Sequence, residues 1–68
     1  MLLADGFEKA FIGTGQQFNK ELAVYDYDKC IEILAEDMSY EEAVEYFEFN
    51  VTGAYVGEGT PVFLKTEI

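Results

Sequence analysis

Carboxylates dominate the side chains of this chain that could do chemistry. Asp26, Asp28 and Glu32 lie close together, and Glu36, Asp37, Glu41, Glu42, Glu45 and Glu48 follow before position 50. A hard cation such as Ca²⁺ or Mg²⁺ takes oxygen ligands of this type. Paired carboxylates can also run acid–base catalysis, provided burial raises the pKa of one of them. The first group, however, has no EF-hand spacing and no glycine turn among its members. Its simpler role is to set negative charge at the positive end of a helix dipole. The glutamates recur at helical spacing on a face expected to be wet, where no pKa is raised.

The other reactive groups are few. Cys30 is the single cysteine, so no disulfide forms within the chain. It sits among apolar residues and its nearest charges are acids, which makes it a core residue and a poor nucleophile. There is no histidine, which removes the commonest general base and the commonest metal ligand. A zinc site is disfavoured for the same reason. There is no arginine to clamp an anion bidentately. Gly13-Thr14-Gly15 is an isolated pair of glycines, and Gly57-Glu58-Gly59 carries an acid where a phosphate would lie. Asn50-Val51-Thr52 matches the glycosylation pattern, a coincidence in a cytosolic protein. The expectation is a chain that is not an enzyme and holds no metal and no cofactor. A carboxylate-and-metal enzyme built on Asp26, Asp28 and Glu32 is the catalytic alternative.

These residues must be positioned by a chain of 68 residues, enough for one domain. A core this small supplies no more than roughly 3–5 kcal/mol of net stability. Disulfides and zinc are not available to supplement it, which leaves association, first of all with a second copy. Fourteen acids face four lysines, for a net charge of −10. Residues 26–48 hold nine of the acids and only Lys29, a net charge of −8. Binding to nucleic acid or to an anionic membrane needs clustered cations, so both are disfavoured. Apolar runs are far shorter than the ~20 residues of a membrane helix, and the first residues do not form a secretory signal.

Periodicity predicts two helices. Tyr27, Ile31 and Leu34, with Cys30 beside them, define one over about 27–36. Ser39 and Glu42 form a capping box for the second, with Met38 placed to pack back on Ala43. Tyr40, Ala43, Val44, Phe47, Val51, Ala54 and Tyr55 then share one apolar stripe, which carries the helix to about residue 55, with Gly57 ending it. Glu41, Glu45, Glu48 and Thr52 form the polar face, and the first three are a candidate acidic surface. Between the two lies a second stripe of Glu42, Tyr46, Phe49 and Gly53. Phe49 points away from the core, so Tyr46, Phe49 and Gly53 are a candidate subunit interface, the glycine allowing close approach.

The remaining apolar runs predict strands at 10–14, 22–25 and 62–66, the first two joined by a polar loop holding Asn19-Lys20. Residues 6–12 also fit a short helix with Phe7, Ala10 and Phe11 facing inward. The expected fold is α+β: two or three antiparallel strands on two helices, in the order β-β-α-α-β, or else mostly α.

Two stretches add a context. Ala23-Val24-Tyr25-Asp26-Tyr27-Asp28-Lys29-Cys30-Ile31-Glu32-Ile33-Leu34 is one. Tyr40-Glu41-Glu42-Ala43-Val44-Glu45-Tyr46-Phe47-Glu48-Phe49-Asn50, continued by Gly53-Ala54-Tyr55-Val56-Gly57-Glu58 and Thr60-Pro61, is the other. Over about residues 5–64 the chain resembles short acidic proteins of tailed bacteriophages and marine viral metagenomes, a group with no assigned activity. The resemblance implies a small protein in the cytoplasm of an infected bacterial host and transfers no functional residue. The functional expectation is a non-catalytic interaction module acting as a homo-oligomer. The alternative is an acidic nucleic-acid mimic that occupies a host DNA-binding protein.

Overall fold

The computed structural model describes residues 1–53 and 57–66. The fold is α+β, a three-stranded mixed sheet with two helices in the order β-β-α-α-β. Strand β1 (Phe11–Gln17) pairs antiparallel with β2 (Lys20–Asp26). Helices α1 (Tyr27–Leu34) and α2 (Tyr40–Phe47) follow, and a π-helical turn (Glu48–Thr52) continues α2. Strand β3 (Val62–Leu64) then pairs with β2, so that β2 is central. That last pairing is parallel, not antiparallel as expected. The two helices sit in the connection between β2 and β3 and carry the chain back past the end of β2, so that β3 starts beside Val24 and runs in the same direction to Leu64 beside Asp26.

Residues 6–12 combine both readings of the sequence. A single 3₁₀ turn, Glu8–Ala10, buries Phe7 and Ala10, and the strand begins at the next residue. Phe11 faces inward on the edge strand, its ring against Tyr25, and is 44% exposed because it lies at the border of the core. The hairpin is tighter than the polar loop that was expected, and the strands run up to Phe18-Asn19 from both sides. Phe18 takes a φ of +57°, a left-handed conformation that asparagine or glycine usually fills. The Gln16 amide donates to its carbonyl oxygen at 3.1 Å.

Helix α1 starts where the Asp26 carboxylate accepts the Lys29 backbone N–H at 3.1 Å. It ends at Leu34, two residues before the acidic pair that was expected to stop it. Helix α2 starts at the capping box: the Ser39 hydroxyl accepts from the Glu42 N–H at 3.2 Å, and Glu42 accepts from the Ser39 N–H. Met38 is packed against the core beside it. Tyr40, expected in the apolar stripe, is 64% exposed because it occupies the first turn at the rim of the domain. Ala54 and Tyr55, expected at the far end of that stripe, lie outside the described residues.

The core lies between the helices and one face of the sheet. Ala23, Tyr25, Cys30, Ile31, Ala43 and Phe47 are buried, with Phe7 and Ala10 closing one side. Phe47 occupies the centre. Phe7, Tyr27 and Phe63 meet it edge-to-face, with ring centroids 5.6, 5.3 and 5.0 Å away. Tyr25 extends the cluster to Phe63 at 5.7 Å and Phe11 at 5.5 Å, and its hydroxyl accepts the Ala4 N–H at 2.8 Å.

Removing the Phe47 ring deletes three aromatic contacts at once. Phe47→Ala should cost about 3–5 kcal/mol, as much as a core of this size supplies in total. Far-UV circular dichroism should find that variant largely unfolded at room temperature. A cooperative urea transition close to the wild-type midpoint would contradict this account of the core.

Candidate functional site

The surface of α2 and its π-helical turn carries the chain's most unusual features. Two side chains reach back one turn along the helix after Phe47. The Asn50 amide donates to the Tyr46 carbonyl at 3.1 Å, and the Thr52 hydroxyl lies 3.3 Å from the Glu48 carbonyl while giving its one proton to the Glu48 carboxylate at 2.8 Å. The backbone ladder over Glu48–Thr52 takes the wider π spacing. Gly53 ends the turn. A Cβ placed there would lie 2.8 Å from the Glu48 carbonyl oxygen. The glycine is thus required by its own chain, whatever else approaches it.

The widened turn sets Phe49 outward at 85% exposure, beside Tyr46 at 47%. Together with Met38 and Asn50 they line an open groove of about 870 Å³. Glu42, Glu45 and Glu48 line it as well, and no lysine does. The expected second stripe is therefore real for Glu42, Tyr46 and Phe49, whereas Gly53 does not line the groove. Glu41 is exposed and also lies outside the lining. Of the candidate acidic surface, Glu45 and Glu48 are brought to the groove.

Glu48 is more than a wet helix-face residue. Its carboxylate accepts hydrogen bonds from the Tyr27 hydroxyl and from the Thr52 hydroxyl, the latter at 2.8 Å. The two donors hold its pKa below the usual carboxylate value. In turn, the bond to Glu48 pushes the Tyr27 phenol up to about 12, with burial adding to the shift. The Lys65 ammonium stands 4.6 Å from the centre of the Tyr27 ring, a cation–π distance. Tyr27 thus joins the start of α1, the π turn and the residue after β3. Periodicity alone gave no sign of it, because its partner is 21 residues away.

The other candidates have structural roles. Asp26 caps α1 and leaves no carboxylate trio: among the described residues, no group of three or more acidic or thiol side chains is arranged to hold a metal ion. Cys30 is fully buried, and burial pushes its thiol up to about 12. Among the described residues no helix is long and apolar enough to cross a membrane. Comparison with protein-family models, with curated proteins and with solved structures finds no match.

Two expected outcomes follow from this geometry. The folded chain holds the Tyr27 proton more tightly than an unfolded tyrosine does. Stability from this bond is therefore complete below about pH 10 and is lost as pH rises towards about 12. The Glu48 share is present above the ordinary carboxylate pKa and is lost as pH falls through its lowered value. Urea midpoints for wild type and Tyr27→Phe should differ at about pH 9, and the difference should shrink steadily as pH rises from about 10 to about 12; a constant difference would contradict the assignment. Gly53→Ala should cost about 1–3 kcal/mol through backbone crowding, and an unchanged midpoint would remove that explanation for the glycine.

Proposed function

We propose that this chain is a non-catalytic interaction module whose recognition surface is the acidic, aromatic groove along α2. The observation that carries the reading is Phe49, an 85%-exposed aromatic ring next to Tyr46 in a groove lined by three glutamates. Exposed aromatics at the centre of a patch are typical anchors of protein interfaces. The bordering carboxylates select the partner. Two copies meeting through this groove would oppose three carboxylates to three more. A partner that presents an apolar side chain flanked by lysine or arginine instead meets both the rings and the charge.

Absence of catalysis is part of the proposal. Among the described residues, the two groups with strongly raised pKa values are spent structurally: Cys30 is sealed in the core, and Tyr27 is tied to Glu48. The phage resemblance suggests that the partner is a protein of an infected bacterium, met in its cytoplasm.

The test is affinity capture from a bacterial lysate with wild type, Phe49→Ala and Glu45→Gln as bait. A specific partner should be retained by wild type, be lost on Phe49→Ala, and weaken on Glu45→Gln and as salt rises from about 50 to about 300 mM. A partner that ignores Phe49→Ala but is released by salt would point to charge mimicry of nucleic acid and against the groove. Glu48 is left intact, since replacing it would also break its bond to Tyr27.

A further inference from the structure

The sheet has a second face, and the sequence treats it as an interior. Ala23 and Tyr25 point into the core, and so does Phe63, which meets both Phe47 and Tyr25. Side chains alternate along a strand, so Leu22, Val24, Val62 and Leu64 point to the opposite face. The register sets Val24 beside Val62 and lines both up with Gly13 of β1, while Gly15 lies beside Leu22. The result is a continuous aliphatic strip with two side-chain-free positions along one flank. Val62 and Leu64 are 42% and 43% exposed.

A sheet with one wet face shows alternation, apolar inside and polar outside, whereas unbroken apolar runs mark strands covered on both faces. Leu22-Ala23-Val24-Tyr25 and Val62-Phe63-Leu64 are unbroken runs. Helices cover one face only. The charge distribution identifies what suits the other. The helical segment after β2, residues 27–48, carries eight acids and Lys29, a net charge of −7, and lies on the covered side. On the open face the charged residues are Lys20, which pairs with Glu58 at 3.4 Å, and Asp26, which caps α1. For a chain of net charge −10, stacking two open faces is the contact that keeps both acidic helical layers farthest apart.

We infer that two copies of this chain associate through the open face of the sheet, stacking Leu22, Val24, Val62 and Leu64 against the same residues of the second copy. The product is a four-layer arrangement, helices–sheet–sheet–helices, with sheets about 10 Å apart. Gly13 leaves room for an opposing side chain, since nothing lies within 4 Å of a Cβ built there, whereas the space over Gly15 is filled by Val24, whose Cγ2 would lie 3.2 Å from such a Cβ. The contact is independent of the α2 groove and leaves that groove open to a partner.

Sedimentation equilibrium tests this with wild type, the double variant Val62→Glu/Leu64→Glu, and Phe49→Glu. Wild type should be dimeric at tens of micromolar, and added salt should strengthen the dimer by screening like charge. The double variant should raise the dissociation constant by more than about tenfold, and Phe49→Glu should leave it unchanged. A monomeric wild type at several hundred micromolar overturns the inference. So does a dimer that Phe49→Glu dissolves and the double variant does not. Isotope-filtered NMR on a mixed-label wild-type sample gives a second readout that needs no variant. Intermolecular contacts among the methyl groups of these four residues support the stacking, and contacts at Tyr46 and Phe49 in their place refute it.

Discussion

Phe47 is fully buried, and three rings from three separate parts of the chain meet it edge-on. Phe7 comes from the segment before the 3₁₀ turn, Tyr27 from the start of α1, and Phe63 from β3. Each ring contributes apolar burial together with an oriented aromatic contact. In a chain with no disulfide, this convergence ties the first residues, both helices and the last strand to one point. The side chains around it are mostly small: Ala10, Ala23, Cys30 and Ala43. Small neighbours let the helices approach the sheet closely, so the large rings fill the space between layers.

The same arrangement separates two chemically different surfaces. The helical layer carries most of the acids, and its outer side ends in the widened turn that exposes Phe49. The open side of the sheet is aliphatic and almost free of charge. The bond between Tyr27 and Glu48 links the core to the first surface, since the ring that packs on Phe47 also holds a carboxylate lining the groove. The orientation of that carboxylate is therefore fixed from inside the protein.

Short-range features were legible in the sequence, and long-range ones were not. The Ser39–Glu42 capping box spans three residues and depends on local geometry alone, so residue types suffice to place it. Outward placement of Phe49 also followed from helical periodicity, because one more turn of helix barely alters its direction even when the turn widens. Parallel pairing of β3 was missed because strand direction depends on how two helices route the chain, and a three-residue strand carries no sign of it. Glu48 was read as one more solvated acid, since nothing near it in sequence announces Tyr27. Gly53 was assigned to an approaching partner from its place in the stripe, and the crowding by the Glu48 carbonyl of its own backbone could not be read there. Phe18 at the hairpin tip had no turn signature at all, because glycine and asparagine are the residues that normally mark a left-handed position.

Parallel pairing of β2 with β3 also shapes the order in which the fold can form. The hairpin and both helices are local, and each can assemble within its own stretch of chain. Val24 and Val62 become neighbours only when the 37 residues between them have been gathered in. Closing that loop is offset directly by a strand of only three residues. Until it docks, Phe47 lacks one of its three aromatic neighbours and β2 presents a free edge. Phe63, which meets both Phe47 and Tyr25, is the side chain through which so short a strand is held to the core.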